Sequence, residues 1–337
     1  MSGIKHKLAK IFPGLNRFRG FILEVWTNKQ TSREYYEPSL LEKYNKERIS
    51  YKNDRLIISM IDGGKYNPGL CDKLMGILSI YNLCKKYNLK YKIYWDYPFE
   101  LADYLLPNKY DWTIKKQDLD FSSSSFPLAL DICTDPLYGR TVDRLVFRKR
   151  TRKKFNQAHV YSNTIVGKEN FKALFEELFK PSENLNNLLR SHLNNIGSRY
   201  VSVSLRFMEL LGDFKDQEGV SMPLPEKEAN ELIEKCYSKL CEIIETLPPD
   251  YKVFVASDSI NFLNRVSKNP RVYTIPGEIV HIRYSGSEEA YMKTFLDLLM
   301  IRNAESQYLL KTGKMYNSGF PRFASWIGNK NFKLIDF

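Results

Sequence analysis

Short apolar segments alternate with amphipathic segments along this chain, and the first such unit begins at Arg55. Arg55 to Ile61 (RLIISMI) is an isoleucine-rich run typical of a buried strand. Glycine, asparagine and proline in Asp62 to Gly69 indicate a loop. Apolar residues from Leu70 to Cys84 recur at helical spacing, and Tyr91 to Tyr97 predicts the next strand. This order predicts a β-α-β unit with its glycines at the strand-to-helix turn.

The same alternation resumes in the last third of the chain. The predicted strands are Tyr200 to Arg206, Lys252 to Asp258, Arg271 to Ile275 and Gln307 to Thr312. The predicted helices start at Pro225, run from Ile260 to Val266, follow the capping box Ser285-Gly286-Ser287-Glu288, and pass through Trp326. Strands that alternate with helices imply parallel sheets covered on both faces.

The sequence therefore predicts an α/β fold with two Rossmann-like domains facing a cleft. We place a basic N-terminal segment at residues 1–30, an acceptor-side domain at 31–195 and a nucleotide-binding domain at 196–337. The stretch from about residue 98 to 195 is the least regular part of the chain. In such folds ligands bind beyond the carboxyl ends of the strands.

The cysteine pattern and the lack of targeting segments favour a cytoplasmic protein. The chain has five cysteines, an odd number with no C-x-x-C pair, which argues against a disulfide framework and a cysteine zinc site. The N-terminus lacks the unbroken apolar core of a signal peptide, and no stretch has the length of a spanning helix. We expect a location in the cytoplasm or at the inner face of the cytoplasmic membrane.

Positive charge is concentrated in two places. The formal net charge is +12, which favours polyanionic partners. Residues 4–26 place apolar side chains at helical spacing beside lysines and arginines, which fits either an in-plane membrane helix on anionic lipid or a helix docked on the protein itself. Residues 148–154 hold six cations in seven positions and are expected on the surface. No nucleic-acid-binding motif accompanies them, so we expect no nucleic-acid partner.

Several common enzyme classes are excluded by their missing motifs. The chain has no phosphate loop, dinucleotide fingerprint, H-E-x-x-H or G-x-S-x-G, and its four histidines are isolated from one another. One D-x-D triplet, Asp118-Leu119-Asp120, is of the kind that holds a divalent ion against a diphosphate, but it follows no apolar strand. A solvated loop explains it adequately, and we expect no metal cofactor.

The candidate site residues lie at predicted strand ends. The guanidinium of Arg206 fits phosphate oxygens bidentately, although a structural salt bridge is the alternative. The loop from Thr312 to Gly319 supplies glycines, hydroxyls and a helix N-terminus that suit an anion. The carboxylate of Asp258 is suited to accept hydrogen bonds from a base or a ribose. Asp297 lies in an apolar helix, so we expect it either to pair with a cation or to bind a ligand.

Four segments carry a resemblance to a known family. They are Gly69-Leu70-Cys71-Asp72-Lys73-Leu74, Val203-Ser204-Leu205-Arg206, Val255-Ala256-Ser257-Asp258, and Phe295-Leu296-Asp297 with Ser318-Gly319-Phe320. In this order the chain resembles the fucosyltransferase superfamily, which includes the bacterial nodulation fucosyltransferase, the core α1,6-fucosyltransferases and the protein O-fucosyltransferases. The resemblance covers residues 55–97 and 196–328. Three positions depart from the family pattern, since Ser204 replaces a histidine, Phe207 an arginine and Cys71 a glycine.

The resemblance implies a GT-B-like glycosyltransferase that moves fucose from GDP-fucose to a glycan acceptor by a metal-independent, inverting reaction. Arg206 would hold the donor β-phosphate, and Glu209, Asp213 or Asp72 would accept the acceptor proton. The expected donor-binding residues are Gly69, Asp72, Lys73, Arg206, Ser257, Asp258, Asp297, Thr312, Ser318, Gly319 and Phe320. A basic membrane-facing segment without a signal sequence suggests an oligosaccharide or lipid-linked glycan acceptor of a bacterial capsule or lipopolysaccharide.

Two other interpretations stay open at the level of the sequence. The chain is alternatively a non-catalytic module that binds an anionic glycan or nucleic acid through its basic runs. The second is a metal-dependent transferase that uses Asp118 and Asp120.

Overall fold

The computed structural model describes residues 40–44, 54–64, 68–130, 139–213, 222–277 and 286–337. Within these ranges the chain forms two compact units. The first unit takes the chain up to Phe99 together with Lys109–Asn170, and the second takes Glu100–Asn108 together with Phe171–Phe337. The N-terminal segment 1–30, with its predicted helix at 4–26, lies outside the described residues.

The first unit is built on a four-stranded sheet in which every strand is parallel. Its order is β2-β1-β5-β4. Its strands are β1 (Leu56–Ile61), β2 (Lys90–Trp95), β4 (Phe126–Leu130) and β5 (Gln157–Ser162), and its helices are α1 (Leu70–Tyr87) and α2 (Gly139–Arg150).

Helix α1 lies against the sheet because its sequence leaves room for a close approach. Thirteen of its eighteen residues are buried, so α1 behaves as a core element with little exposed face. At Gly76 an added Cβ would lie 1.9 Å from the carbonyl oxygen of Ser162 at the end of β5. Only glycine permits this distance between helix and strand, which fixes how α1 packs.

A buried polar chain on β5 ties the segment 40–44 to this sheet. His159 is fully buried, with Nδ1 2.6 Å from the hydroxyl of Tyr44 and Nε2 2.8 Å from Oε1 of Gln157. Lys43 forms an ion pair of 2.7 Å with Asp62 at the end of β1. Burial lowers the pKa of His159 to about 4, so the fold holds the neutral ring at neutral pH.

The second unit is built on a five-stranded parallel sheet with the order β11-β10-β7-β8-β9. Its strands are β7 (Tyr200–Leu205), β8 (Lys252–Ser257), β9 (Val272–Tyr273), β10 (Ser306–Lys311) and β11 (Asn331–Asp336). Its helices are α3 (Phe171–Leu178), α4 (Glu183–Ile196), α5 (Glu226–Thr246), α6 (Ile260–Val266), α7 (Glu288–Asn303) and α8 (Phe320–Gly328).

The two faces of β7 have different chemistry. Val201, Val203 and Leu205 point into an apolar core that they share with buried residues of α5. Successive side chains of a strand alternate between faces, so Ser202 and Ser204 lie on the opposite face, and Arg206 continues that row beyond the strand. The sheet therefore carries a polar row that leads to its carboxyl edge.

The second unit begins at a lower residue number than the domain boundary predicted from the sequence. Strand β3 (Leu105–Pro107) pairs antiparallel with β6 (Phe179–Pro181) inside the second unit. Helix α4 packs on α7, and α3 packs on α8. Residues 171–195, which the sequence places in the first domain, therefore group with the second unit, because their apolar faces are covered there.

The predicted α/β class with two parallel, Rossmann-like halves is confirmed by both sheets. The predicted strands occur within a few residues of their expected ends, and α6 has the predicted bounds. Five further strands in the described ranges were not predicted, namely β3, β4, β5, β6 and β11. They are polar or short in sequence and owe their conformation to pairing with neighbouring strands. Ser287 caps α7 by accepting from the N–H of Ala290, while Ser285 of the predicted capping box lies outside the described residues.

No helix in the described part of the chain has both the length and the apolar character needed to cross a bilayer.

The buried His159 predicts an acid-dependent loss of stability. Its folded-state pKa of about 4 lies below that of an unfolded histidine, near ~6.5. The stabilising contribution is therefore complete above pH ~6.5 and is lost as the pH falls toward the folded pKa, by about 3 kcal/mol in total. We expect the free energy of unfolding, measured with urea at a series of pH values, to fall more steeply in the wild type than in His159→Gln. Equal slopes for the two proteins would contradict the assignment.

Candidate functional site

Arg206 stands directly after β7, at the carboxyl edge of the second sheet. Its side chain is 18% exposed, and its Nε lies 3.2 Å from Oδ2 of Asp258, whose side chain is 1% exposed. Asp258 follows β8, which is the neighbour of β7 in the sheet. The ion pair therefore joins two adjacent strand ends and holds the guanidinium at the edge where ligands bind in such folds.

The carboxylate of Asp258 also fixes the backbone after Arg206. Its two oxygens accept hydrogen bonds from the N–H groups of Phe207 and Met208, at 2.8 and 2.7 Å. Met208 has a φ of 58°, a left-handed conformation that is costly for a residue with a long side chain. Burial raises the pKa of the Asp258 carboxyl, while Arg206 and the two backbone N–H groups oppose that shift. The strained turn persists because this carboxylate binds both of its amides.

Phe207 explains one departure from the family pattern. Its ring is fully buried and lies 5.1 Å from that of Phe262 on α6. The side chain therefore points into the apolar core, where an arginine would lose its hydration without gaining a partner.

The loop after β10 runs beside the same strand end. The N–H of Tyr316 donates to the carbonyl oxygen of Arg206 at 3.0 Å. Two residues later, Oγ of Ser318 accepts from the N–H of Phe320, the first residue of α8. Gly319 is exposed, and an added Cβ there would meet nothing within 4 Å. The structure thus brings Arg206 and a helix N-terminus to one edge, and a helix N-terminus attracts anions.

Asp297 on α7 is both paired and incompletely satisfied. Its Oδ2 lies 2.7 Å from Nζ of Lys293, one helical turn earlier. Its Oδ1 is buried and has no hydrogen-bond partner among the described residues. Burial raises the pKa of the Asp297 carboxyl, against the effect of Lys293 and of His192. Of the two possibilities left open by the sequence, pairing with a cation is observed for one oxygen, and ligand binding by the other stays a prediction.

Two serines of β7 were not singled out from the sequence as binding residues. Oγ of Ser202 and Oγ of Ser204 are buried without a hydrogen-bond partner in the part of the chain that the structure describes. Gln307 is in register with Ser202 on β10, and its Oε1 is likewise unsatisfied there. Buried polar atoms nearly always have partners, so such a group indicates space for a ligand or water. The sequence does carry one indication of these groups, because serine occupies alternate positions of an otherwise apolar strand.

Other candidates of the second unit have mainly structural contacts. Oγ of Ser257 accepts from the N–H of Ser259. Oδ2 of Asp213 accepts from Ser259 and from the N–H of Asn261, and thereby caps α6. The hydroxyl of Thr312 contacts Nζ of Lys235 and the carbonyl oxygen of Phe337. Glu209 lies in a 3-10 turn after β7, half-buried and three residues from Arg206.

The candidates of the first unit lie at the start of α1. Gly69 caps the helix, and its carbonyl oxygen accepts from the N–H of Lys73. Asp72 is in the first turn. Lys73 is only 2% exposed, and its Nζ lies 5.4 Å from the ring centroid of Trp95 on β2. Its ammonium is therefore enclosed by the first unit, with an aromatic face beside it.

The D-x-D triplet has a structural explanation. The carboxylate of Asp120 accepts hydrogen bonds from Ser122, Ser125 and Asn156. Although burial opposes ionisation, these hydrogen bonds lower the pKa of the Asp120 carboxyl to about 2. No group of three or more His, Cys, Asp or Glu side chains in the described ranges is arranged to hold a metal ion.

Solved structures with a similar fold are fucosyltransferases. The α-1,6-fucosyltransferase NodZ soaked with GDP-fucose matches with a TM-score of 0.52 and 14% identity, over 84% of this chain and 94% of that chain. A structure of the fucosyltransferase NodZ from Bradyrhizobium gives a TM-score of 0.51 and 15% identity, over 80% of this chain and 92% of that chain. A mutant of Arabidopsis thaliana FUT1 in complex with GDP gives 0.53 and 12%, over 95% and 78%.

The expected similarity to fucosyltransferases is thus confirmed at the level of the fold. Two parallel α/β units and these structural neighbours identify the fold as GT-B-like. No protein-family model matches the sequence, and no curated protein matches it significantly.

The central position of Asp258 predicts a large effect on stability. Asp258→Ala leaves two buried backbone N–H groups and the Arg206 guanidinium without their acceptor, so we expect a loss of about 2–4 kcal/mol in the free energy of unfolding. The matched control is Asp250→Ala, which removes an exposed pair of 2.6 Å with Arg199 and should cost less than ~1 kcal/mol. Denaturant titration measures both values. A similar small loss for the two variants would show that Asp258 does not hold this turn.

Proposed function

We propose that this protein is a glycosyltransferase that moves fucose from GDP-fucose to a glycan acceptor, by an inverting reaction in which arginine and backbone amides neutralise the leaving group. The observation that carries the proposal is Arg206, held by buried Asp258 at the end of β7 and hydrogen-bonded through its carbonyl to the loop that starts α8.

The similar structures support the choice of donor. The similar NodZ structure was soaked with GDP-fucose, and the FUT1 mutant is in complex with GDP. The resemblance in sequence points to the same donor, because the motif that ends in Arg206 and the segment of Asp297 follow the family order.

The chemistry follows from where charge develops. The acceptor hydroxyl attacks C1 of the sugar while the bond from C1 to the diphosphate oxygen breaks, and the electron pair of that bond leaves with GDP. Arg206 and the amides near Ser318 and Gly319 stabilise the growing negative charge on the diphosphate. Attack from the face opposite the leaving group inverts the configuration at C1.

A carboxylate must accept the proton of the attacking hydroxyl. Glu209 is our first choice, because it follows Arg206 by three residues and is half-buried. Asp213 is less suited, since its Oδ2 already accepts two hydrogen bonds at the start of α6. Asp72 belongs to the first unit and remains a candidate for the same role.

Asp297 is proposed to bind the nucleoside. A guanine base presents two adjacent N–H donors on one edge, and a carboxylate oxygen without a partner is the matching acceptor. The neighbouring Lys293 opposes the rise that burial causes in the pKa of this carboxyl. Oδ1 is free of protein donors in the described residues, which supports this role.

The acceptor is proposed to be an oligosaccharide or a lipid-linked glycan. This part of the proposal rests on the sequence alone, through the basic amphipathic segment 4–26.

Removal of the guanidinium tests the catalytic role. We expect Arg206→Ala to release GDP from GDP-fucose, with a panel of oligosaccharide acceptors, roughly 100-fold or more slowly than the wild type. Arg206→Lys should retain part of the rate, because lysine keeps the positive charge. The rate should still be below that of the wild type, because lysine lacks the two parallel N–H donors of the guanidinium.

The control is Arg199→Ala, which removes an exposed arginine from the amino end of the same strand and should change the rate less than ~2-fold. Transfer by Arg206→Ala at the wild-type rate would refute the proposed role.

A nucleotide panel tests the binding of the donor. We expect GDP to raise the melting temperature of the wild type more than UDP, ADP or CMP, with ~2.7 kcal/mol of stabilisation at 100 times Kd. Lys293→Met/Asp297→Leu replaces a buried pair by apolar side chains of similar size, so it should keep the unliganded stability within about 2 kcal/mol and lose the protection by GDP.

The exposed pair Lys239 and Glu242 provides the control, and Lys239→Gln/Glu242→Gln should retain protection. If GDP protects no form of the protein while polyanions bind in a salt-dependent way, the chain is a binding module and the transferase proposal fails.

A further inference from the structure

A cluster of exposed cations lies at the carboxyl ends of α1 and α2 in the first unit. We call it the basic face, and its exposed members are Lys85, Lys86, Arg148, Lys149, Arg152 and Lys153. Lys85 and Lys86 are in the last turn of α1. The other four belong to the last turn of α2 and the residues after it.

An aromatic ring joins the two helix ends into one surface. The ring centroid of Tyr87 lies 5.9 Å from Nζ of Lys86 and 5.9 Å from Cζ of Arg148. The same ring stacks on buried Phe147 of α2, with 6.3 Å between centroids. Cations that are far apart in sequence are therefore neighbours in space.

The two chain segments that form the basic face contain no carboxylate of their own. Residues 79–95 and 144–168 include no Asp or Glu. Cations in a last helical turn stabilise the helix through its dipole, which accounts for part of the pattern. Arg152 and Lys153 lie beyond the end of α2, where this benefit falls off. Ordinary protein surfaces mix positive and negative side chains. The cations that the helix dipole does not account for therefore favour an anionic partner.

The geometry favours an extended anionic surface over a single phosphate. Helix ends at this edge present carbonyl groups, which do not bind anions. Single-stranded nucleic acid needs exposed aromatic rings for stacking. The rings here are covered, since Arg148 lies over Tyr87 and Arg150 lies over Phe126 at 4.9 Å. In 79–95 and 144–168 no large apolar side chain is exposed.

We propose that the basic face docks the protein on an anionic lipid bilayer. Each cation near such a surface adds about 1 kcal/mol, or about 5-fold in affinity, and the charges need no fixed geometry. The segment 4–26, with its lysines and apolar residues at helical spacing, supplies a second signal in the sequence. Stable membrane association requires two such membrane-binding features, and the basic face and the segment 4–26 provide them.

The docking sets the orientation of the first unit. Helix α1 ends where β2 begins, so the basic face lies at the amino edge of this sheet. The carboxyl ends of β1 and β5, at the opposite edge, then point away from the lipid.

Vesicle binding by the full chain tests the proposal. The probes are phosphatidylcholine vesicles with and without roughly a third phosphatidylserine, at low and high salt. We expect the wild type to bind only the anionic vesicles and to be released by salt. Arg148→Glu/Arg152→Glu/Lys153→Glu should lower the partition coefficient by about 100-fold, with only a small fall in melting temperature from the loss of Arg148 in the last turn of α2.

A matched variant controls for net charge. Lys227→Glu/Lys268→Glu/Lys330→Glu changes three exposed lysines of the second unit and removes the same amount of charge, so its partition coefficient should stay within ~3-fold of the wild type.

Three results would overturn the proposal. One is no wild-type binding to anionic vesicles. Another is full binding by the basic-face variant together with loss in Lys5→Glu/Lys7→Glu/Lys10→Glu, which would assign docking to the N-terminal segment alone. The third is tighter wild-type binding to a short single-stranded DNA than to vesicles at the same salt. None of these measurements depends on sugar transfer.

Discussion

The buried carboxylate of Asp258 organises the carboxyl edge of the second sheet. It pairs with Nε of Arg206 and accepts hydrogen bonds from the two backbone amides that follow it. A carboxylate out of water is costly, and it is tolerated here because a cation and two N–H groups share its charge. Without it, the left-handed Met208 and the guanidinium would lack the contacts that hold them at the strand end.

The polar row of the sheet places unsatisfied groups on one face. On β7 the valines and Leu205 pack into the core with α5, while Ser202 and Ser204 carry buried hydroxyls that lack partners within the described ranges. Asp297 adds one more such atom from α7. A fold that leaves several polar atoms without partners gives up stability there, which is typical of surfaces that meet a ligand.

In the first unit, apolar packing determines how the elements fit together. Its sheet is enclosed by apolar side chains, and Gly76 sets the distance between α1 and β5. Polar groups in its interior are linked to one another, as in the contacts of His159 with Tyr44 and Gln157. Its strongest charge lies on the outside, on the basic face. The two units thus divide their polar residues between a candidate binding edge and an exposed surface.

The sequence by itself determined the alternation of strands and helices and the placement of Arg206, Asp258 and the segment 312–319 at strand ends, because hydrophobic period and turn residues are local properties. It also determined that six of the seven residues 148–154 are cations. Only the tertiary structure decided that β4, β5 and β11 are strands, since their pairing partners supply that conformation. Tertiary contacts also placed residues 171–195 with the second unit, committed one oxygen of Asp297 to Lys293, and brought Lys86 beside Arg148. These outcomes depend on contacts between residues that are far apart in the chain, and the spacing of residue types along the sequence does not encode those contacts.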